Sequence, residues 1–276
     1  MLETGIVKDE EVEYLIKDVY DLYGYDFSMY SRASFKRRVN RICLIDKFTS
    51  FAELRYTLIN EPDYLKRFIE EITVNVTEMF RDPYFFKALR ENILPQLGTY
   101  PLIRVWVAGC STGEEAYSIA ILLKEAGLYQ KSLIYATDIN PSVLETARAG
   151  IFPISQMKTY SENYMMSGGK EDFSNYYTAN YDSVRFDKSL KEKMILSTHN
   201  LVSDSSFNSF QLIICRNVLI YFDKGLQERV FRLFDDSLEH LGFLALGSKE
   251  TLRFSNLGKT YQQITDQKIW KKTAQN

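Results

Sequence analysis

The apolar positions of this 276-residue chain follow two different patterns. From about residue 9 to 93 they recur at three- and four-residue steps, which predicts a run of amphipathic helices. Clear examples of that spacing are Val12, Leu15, Ile16, Val19 and Leu22, and then Phe35, Val39 and Ile42. The segment LGTYP (97–101) breaks the pattern. We therefore expect an all-helical N-terminal domain over residues 1–88 and a linker over residues 89–101.

After the linker, short apolar runs alternate with amphipathic segments. The apolar runs predict strands at 102–108, 132–138, 210–215 and 243–247, and the segments between them predict helices at 114–127, 141–150 and 224–242. Residues 261–264 and 269–272 are expected to form an antiparallel pair around TDQK. Alternation of this kind is typical of a doubly wound, mostly parallel α/β sheet with helices on both faces, here over residues 102–276.

The alternation lapses between residues 151 and 193. This segment is rich in Tyr, Ser and Asn and contains a Gly168-Gly169 turn signal. It is too long to be an ordinary connection. It is either an insertion without fixed structure or a small β subdomain lying on the main sheet, and its aromatic content favours the β subdomain.

Composition narrows the classes of protein to which this sheet could belong. A net charge of −2 gives no general reason to expect nucleic acid or an acidic membrane as a partner. No apolar run approaches the ~18 residues that a membrane span needs. The three cysteines, Cys43, Cys110 and Cys215, are widely spaced and match no zinc pattern. We expect a cytoplasmic protein without a metal ion, without direct membrane insertion and without a nucleic-acid partner.

The first predicted strand leads into GCSTG (109–113), which has two interpretations. It matches the G-x-S-x-G turn that exposes the nucleophile of α/β-hydrolases, here Ser111. In that fold, however, the nucleophile follows several strands, and only two histidines are present as bases: His199, and His240 late in a predicted helix. The loop after the first strand of a doubly wound sheet is instead where such folds place a ligand. We therefore predict that Gly109 begins a cofactor-binding loop.

The residues around this loop indicate the charge of the ligand. Neither a G-x-G-x-x-G fingerprint nor a Gly-Lys-Ser/Thr phosphate loop is present. Asp138, at the end of the next predicted strand, suits two adjacent ribose hydroxyls, although it could also cap the following helix. Glu114 and Glu115, in the first turn of a helix, argue against phosphate and for a ligand with positive charge. S-adenosylmethionine has a ribose, an ammonium and a sulfonium, and it has no phosphate.

Five segments of the chain resemble the CheR family of chemotaxis-receptor glutamate O-methyltransferases. They occur in the family's order, as TVNVTEMFRDPYFF (73–86), RVWVAGCSTGEEAYSIA (104–120), YATDINPSVLETARAGIF (135–152), HNL (199–201) and CRNVLIYFD (215–223). Ala116 stands where the family usually has Pro, and Met79 where a second Phe is common, but neither position needs a functional group. The resemblance implies a Rossmann-like S-adenosylmethionine methyltransferase sheet preceded by an all-helical domain.

The resemblance also implies a site residue at each matching position. The residues that would bind the cofactor are Asn75, Thr77, Arg81, Gly109, Glu115, Asp138, Asn200, Leu201, Arg216 and Asn217. Arg81 and Tyr221 would be catalytic, Arg81 at the reaction centre and Tyr221 beside the transferred methyl. Each also has a structural alternative: Asn75 and Thr77 could end a helix, Arg81 could form a surface ion pair with Asp82, and Tyr221 could lie in the core.

The reaction that the resemblance implies is displacement at the sulfonium methyl by a glutamate carboxylate, which yields a glutamyl methyl ester and S-adenosylhomocysteine. A carboxylate with an ordinary pKa near ~4.3 is ionised at neutral pH, so no general base is required. Three alternatives stay open: a regulatory module that binds the cofactor without turnover, methylation of a different protein substrate, and, from a weak similarity of DPYFF (82–86) to an amino-methyltransferase signature, methylation of a base nitrogen.

The segment SRASFKRRVNRI (31–42) concentrates positive charge. Its basic residues are Arg32, Lys36, Arg37, Arg38 and Arg41, with no acid between Asp26 and Asp46. On a helix, arginines at these steps cluster beside the apolar stripe. They are either a solvated face or a docking surface. The resemblance implies that the N-terminal domain meets the acidic helical cytoplasmic region of a chemoreceptor, so we expect this helix to dock the substrate of a monomeric enzyme.

Overall fold

A computed structural model describes residues 7–73 and 77–273 of the chain. Contacts between Cα atoms divide the chain into two compact units, Met1–Val74 with Tyr221–Arg229, and Asn75–Ile220 with Val230–Asn276. The helices are α1 (Asp9–Tyr23), α2 (Arg32–Ile45), α3 (Phe51–Asn60), α4 (Tyr64–Ile72), α5 (Pro83–Ala88), α6 (Leu94–Leu97), α7 (Glu114–Glu125), α8 (Pro141–Ala149), α9 (Met157–Met166) and α10 (Lys224–Ser237). The strands are β1 (Ile103–Ala108), β2 (Ser132–Asp138), β3 (Ile151–Pro153), β4 (Tyr177–Asn180), β5 (Ser183–Phe186), β6 (Met194–Thr198), β7 (Phe210–Cys215), β8 (Leu238–Leu246), β9 (Tyr261–Thr265) and β10 (Ile269–Lys272). Within the described ranges, no helix is both long enough and apolar enough to cross a membrane.

The first unit contains α1 to α4, as the apolar spacing predicts. The predicted stripe of α2 is confirmed, since Phe35, Val39 and Ile42 are at most 1% exposed. The stripe of α1 stops one turn early, because Leu22 is 50% exposed. A glycine ends α1: Gly24 adopts a left-handed backbone with φ of 75°, which glycine accepts without a side-chain clash.

The boundary between the units lies earlier than the sequence pattern indicates. Residues 83–97 belong to the second unit, where α5, a π-helical turn (Leu89–Ile93) and α6 form one helical run. Pro83 is the first residue of this run. Proline suits this position because the first backbone N–H groups of a helix have no acceptor within the helix. Leu89, Ile93 and Leu97 are fully buried. The helical run that packs into the core therefore continues past the expected domain end at 88 and takes up residues 89–97 of the expected linker over 89–101.

A seven-stranded sheet forms the centre of the second unit, in the order β6-β2-β1-β7-β8-β10-β9. Its first five strands are parallel, and β10 pairs antiparallel with both β8 and β9. Residues 105–108 of the central strand β1 are at most 1% exposed, as expected for a parallel strand covered on both faces. The predicted mostly parallel α/β sheet and its terminal antiparallel pair are confirmed.

Two strands of this sheet differ from the prediction. The pattern does not indicate β6, which pairs with β2 at one edge. Apolar spacing predicts a helix to residue 242, but α10 ends at Ser237 and β8 begins at the next residue. Leu238 there pairs with Phe210 of β7, so sheet pairing overrides the helical spacing of LEHLG. His240 consequently lies in a strand and is exposed.

The segment between 151 and 193 contains a small antiparallel sheet in the order β3-β5-β4, which confirms the predicted β subdomain. It also contains a helix, α9, that was not predicted. Tyr160 and Tyr164 of α9 are at most 2% exposed. The centre of the Phe173 ring lies 5.3 Å from that of Tyr164 and 5.9 Å from that of Phe186, with both pairs of rings tilted. Most of the aromatic residues that mark this segment in the sequence therefore form its core, although Tyr181 is exposed.

Candidate active site

Four neighbouring strands of the parallel sheet end at one edge. β6, β2, β1 and β7 are adjacent and parallel, so their carboxyl ends lie side by side. The predicted residues follow these ends: 109–113 after β1, 138–140 at the end of β2, 199–201 after β6 and 216–217 after β7. Ligands of open α/β sheets bind at this edge. The topology thus brings together predicted residues from four separate parts of the chain.

Four of the five backbone N–H groups of the loop at 109–113 donate to acceptors in β2 or in the loop itself. The donor–acceptor pairs are Gly109 N to Thr137 O (2.8 Å), Cys110 N to Thr137 O (2.9 Å), Ser111 N to Asp138 Oδ2 (2.9 Å) and Gly113 N to Cys110 O (3.0 Å). A phosphate-binding loop instead directs such groups at its ligand. The geometry agrees with a ligand that carries no phosphate.

Close packing explains why glycine occupies both ends of this loop. Gly109 and Gly113 have φ of 75° and 100°, in the left-handed region. A Cβ atom on Gly109 would lie 2.5 Å from Cγ2 of Val218, and one on Gly113 would lie 2.8 Å from Cβ of Ala147. The loop is therefore held between α8 and the turn that follows β7.

Ser111 lacks the surroundings of a nucleophile. Its Oγ is buried and has no hydrogen-bond partner among residues 7–73 and 77–273. His199 Nε2 lies 3.3 Å from the backbone oxygen of Ser205, and the ring packs against Trp106 and Phe207. No base therefore binds the Ser111 hydroxyl in the described structure, which argues against the hydrolase interpretation.

Asp138 connects the loop after β1 to the end of β2. Its Oδ2 accepts the Ser111 bond and its Oδ1 accepts from Asn140 N (3.0 Å). Asn140, not Asp138, caps α8, because Asn140 Oδ1 accepts from Ser142 N (2.9 Å). Burial raises the pKa of the Asp138 carboxyl, and backbone hydrogen bonds oppose that rise. Each oxygen of a carboxylate can accept a further hydrogen bond, which leaves capacity for ribose hydroxyls.

Arg216 holds two carboxylates with a buried guanidinium. Its side chain is 2% exposed, with Nη1 2.7 Å from Glu115 Oε1 and Nη2 2.6 Å from Asp82 Oδ2. The guanidinium also lies 4.1 Å above the Phe85 ring, and Nη2 donates to the backbone oxygen of Arg81 (3.1 Å). These bonds give Arg216 a positioning role. Contact of Arg216 with the cofactor stays a prediction. Its Nε has no hydrogen-bond partner in the described chain and is the nitrogen that could make such a contact.

The backbone around Arg81 is fixed by its neighbours. Phe80 and Asp82, on either side, have left-handed φ of 52° and 57°, which non-glycine residues adopt only when the surroundings enforce it. Phe80 N donates to Ser118 Oγ of α7 (2.9 Å). Thr77 lies half-buried in the same segment, and Asn75 lies outside the described residues. The roles of Thr77 and Arg81 stay predictions, but the Arg81 backbone is preorganised.

The residues predicted to frame the adenosine lie after β6 and β7. Leu201 is 8% exposed, and Asn200 Oδ1 accepts from Val202 N (2.9 Å). Asn217 has φ of 61°, and its N–H group donates to Glu250 Oε2 (3.2 Å). Glu250 is a buried acid that sequence reasoning missed, because nothing in GSKETLR distinguishes it from a surface loop residue.

Tyr221 belongs to the first unit, in which it contacts α2. Ser31 N donates to the backbone oxygen of Tyr221 (2.9 Å), and the guanidinium of Arg38 lies 5.5 Å from the centre of its ring. Arg38 also donates to the backbone oxygen of Glu71 (3.2 Å). Arg38 is therefore half-buried and directed inward, unlike the exposed docking residue that the basic run suggests.

The other basic residues of α2 fall into two groups. Arg32 pairs with Glu13 and Lys36 with Asp9, both acids of α1, the second at 2.7 Å. The Arg41 side chain is 64% exposed, and its Nε lies 3.8 Å from Glu71 Oε2. Arg37 is also exposed. Arg32 is exposed as well, but its charge is paired with α1, so the exposed arginines of the predicted docking surface that are not paired with α1 are Arg37 and Arg41.

S-adenosylmethionine fits the chemistry at the carboxyl edge of the sheet. Three buried polar atoms that follow β1 or β2 have no partner in the described structure: Ser111 Oγ, Asn140 Nδ2 and Ser142 Oγ. Two carboxylates around one guanidinium at Arg216 leave an excess of negative charge, which suits an ammonium and a sulfonium. In the parts of the chain that the structure describes, no group of three or more His, Cys, Asp or Glu residues could hold a metal ion.

Comparison with known proteins extends these observations. Residues 75–269 match the CheR methyltransferase SAM binding domain, and residues 10–73 match the CheR methyltransferase all-alpha domain. A Pseudomonas putida protein named "Putative methyltransferase Cher3" is 45% identical over 266 residues, which cover 96% of this chain and 97% of that protein. The chemotaxis protein methyltransferases of Listeria monocytogenes and Salmonella typhimurium are 31% and 36% identical, covering 90% and 79% of this chain and 93% and 73% of their own lengths. The chain belongs to the CheR methyltransferase family.

Proposed function

We propose that this protein transfers a methyl group from S-adenosylmethionine to glutamate side chains in the acidic helical cytoplasmic region of a chemoreceptor. The products are glutamyl methyl esters and S-adenosylhomocysteine. The observation that carries this proposal is the position of the Arg81 backbone. Arg216 binds the backbone oxygen of Arg81 and also the carboxylate of Glu115, so Arg81 is held beside the acids that follow the strands of the sheet. The names of the Listeria and Salmonella relatives support a chemotaxis substrate.

The bound cofactor supplies a methyl group activated by a positively charged sulfur. The residues of this chain hold it by charge and hydrogen bonding. Asp138 accepts hydrogen bonds from the ribose, and Glu115 contributes negative charge at the amino-acid end. Asn200, Leu201 and Asn217 frame the adenosine. Because four of the five N–H groups of the loop at 109–113 already have acceptors within the protein, the loop favours a ligand without phosphate.

The substrate carboxylate needs orientation more than activation. A glutamate with an ordinary pKa near ~4.3 is ionised at neutral pH, so the scarcity of histidines does not limit the reaction. Holding nucleophile and methyl in line can supply roughly 7–11 kcal/mol of the barrier reduction. Arg81 orients the carboxylate through its planar guanidinium, and Tyr221 donates a hydrogen bond. An over-tight pair would stabilise the ground state instead, so Arg81 binds from the edge.

Receptor docking rests on the exposed arginines of α2. An acidic helical partner is attracted to Arg37 and Arg41 by electrostatic steering, which weakens as salt rises. Reversing both to Glu should raise the apparent KM for a receptor fragment at low salt and leave cofactor affinity unchanged. Reversing the exposed Lys17 and Lys66 changes the net charge equally and serves as the control. Equal effects of the two double variants would refute specific docking.

We further propose that the enzyme works as a monomer in the cytoplasm.

Two measurements on the whole chain test the proposed function. Calorimetry measures S-adenosylmethionine binding, and a labelled methyl group measures transfer to a receptor fragment. We expect binding and transfer by the wild type, and near-complete loss of transfer for Arg81→Ala with the fold intact by circular dichroism. Binding without transfer to any acidic helical substrate would support a regulatory module instead. An Arg81→Ala variant that keeps half of normal turnover would refute the catalytic role proposed for Arg81.

A further inference from the structure

Glu250 is a buried acid that no step of the proposed reaction uses. It is 6% exposed. Its Oε2 accepts from Gly247 N (2.6 Å) and Asn217 N (3.2 Å), and its Oε1 accepts from Val218 N (2.9 Å). Burial raises the pKa of the Glu250 carboxyl, and backbone hydrogen bonds from residues that include Leu219 and Ile220 oppose that rise. One carboxylate therefore satisfies several backbone donors in a region shielded from water.

These hydrogen bonds join the ends of two neighbouring strands. Gly247 follows β8, and Asn217 and Val218 lie just after β7, which pairs in parallel with β8. Without Glu250, the buried N–H groups would lose their acceptor, and an unsatisfied buried donor is destabilising. Asn217 adopts a left-handed backbone with φ of 61°, a conformation that needs support from its surroundings. The carboxylate supplies that support.

The turn held by Glu250 packs directly on the cofactor loop. Val218 Cγ2 is the atom that a Cβ on Gly109 would approach to 2.5 Å, so the Val218 side chain and the Gly109 backbone are in tight contact. Movement of the turn would change the space available to Gly109. The position of the loop at 109–113 consequently depends on the turn at 217–218, and that turn depends on Glu250.

We propose that Glu250 is a positioning residue for the cofactor site, because it fixes the turn of Asn217 and Val218 against Gly109. Its carboxylate acts through this turn and is not assigned a contact with the cofactor. Gly247 is needed for the same arrangement, because a Cβ atom there would lie 2.7 Å from Glu250 Oε2 and 2.9 Å from Asn217 N, too close for either contact. The sequence GSKE thus provides a glycine that allows the acid to approach and the acid that binds the turn.

The test compares Glu250→Gln and Gly247→Ala with Glu125→Gln. Glu125 is a matched control: its side chain is 12% exposed and it binds Arg90, Tyr164 and Tyr176. It lies at the opposite end of α7 from the cofactor loop, roughly 16 Å along the helix axis. Calorimetry gives the dissociation constant for S-adenosylmethionine, and tryptophan fluorescence in urea gives the stability of the unit.

We expect Glu250→Gln and Gly247→Ala each to weaken cofactor binding by about tenfold or more, since losing one hydrogen bond to a buried charge has that effect. Glu125→Gln should lower stability to a similar extent while binding the cofactor as the wild type does. The apparent KM for the receptor fragment should not change in any of the three. A folded Glu250→Gln variant with wild-type cofactor affinity overturns the proposal, and so does an equal loss of affinity in Glu125→Gln.

The role of Glu250 rests on the cofactor site proposed above, but it and the proposed methyl transfer have separate tests. A wild-type protein that binds S-adenosylmethionine but methylates no receptor fragment would end the proposed function, while the affinity comparison would still decide the role of Glu250. If Glu250→Gln does not fold, Gly247→Ala decides the question, since it disturbs the same hydrogen bonds and keeps the carboxylate.

Discussion

Replacing Arg216 with Met tests whether its ion pairs hold the candidate site together. Methionine retains a long apolar side chain that can pack over Phe85, so the change mainly removes the guanidinium. Glu115, with 14% of its side chain exposed, would then keep its charge and lose the guanidinium that binds it. Asp82, with 46% of its side chain exposed, would be solvated, and its pair contributes about 0–1 kcal/mol.

The expected loss follows from these two exposures. Breaking a buried pair by removing one partner lowers the free energy of unfolding by about 3–5 kcal/mol. Because Glu115 retains some contact with water, we expect about 3 kcal/mol, at the lower end of that range. Adding Glu115→Gln should restore about 2 kcal/mol, since it removes the unpaired charge. Methyl transfer should stay low in both variants, because the backbone of Arg81 loses the donor at Nη2.

Tryptophan fluorescence during urea unfolding measures these changes selectively. Both tryptophans of the chain, Trp106 and Trp270, lie buried in the second unit, so their signal reports on the unit that contains Arg216. A loss below 1 kcal/mol in Arg216→Met, or a double variant no more stable than the single one, would refute the proposed role of the buried pair.

Four further predictions concern the cofactor, Tyr221 and Arg38. Burial raises the pKa of Asp138, and its ionised form is the one that we propose accepts the ribose hydrogen bonds. Calorimetric affinity for S-adenosylmethionine should therefore fall as pH decreases through that raised pKa, and a constant affinity down to the ordinary aspartate range would contradict this. Asp138→Ala should weaken binding by about 1.5–3 kcal/mol at neutral pH. Tyr221→Phe should lower kcat more than cofactor affinity. Arg38→Met should lower kcat without raising the KM for the receptor, because Arg38 packs over Tyr221; a raised KM with normal kcat would instead make Arg38 a docking residue.

Local patterns in the sequence predict most elements of the fold but miss those that depend on distant pairing. The buried stripe of α2 and the run of β1 are visible because spacing and burial agree. LEHLG continues the helical spacing of α10, yet pairing with β7 makes it part of β8. Helix α9 did leave a signal, because Met157, Tyr160 and Tyr164 recur at three- and four-residue steps and are buried.

The candidate site divides in a similar way. Residues proposed to contact the cofactor lie in recognisable motifs, such as Asp138 after β2 and the glycines of 109–113. Residues that act by holding others carry no motif of their own. Glu250 binds a turn 33 positions away in sequence, and the partner of Arg216 at Asp82 is separated from it by 134 positions. Such roles depend on strand order, which is a property of the whole sheet.

The most direct test of methyl transfer to glutamate is mass spectrometry of a receptor fragment after reaction with this protein and S-adenosylmethionine. We predict a gain of one methyl group on glutamate side chains of the acidic helical region, and its removal by mild base, as expected of an ester. The same fragment with those glutamates replaced by glutamine should gain nothing. A methyl group that resists base, or one found on the glutamine-substituted fragment, would contradict glutamate O-methylation by this protein.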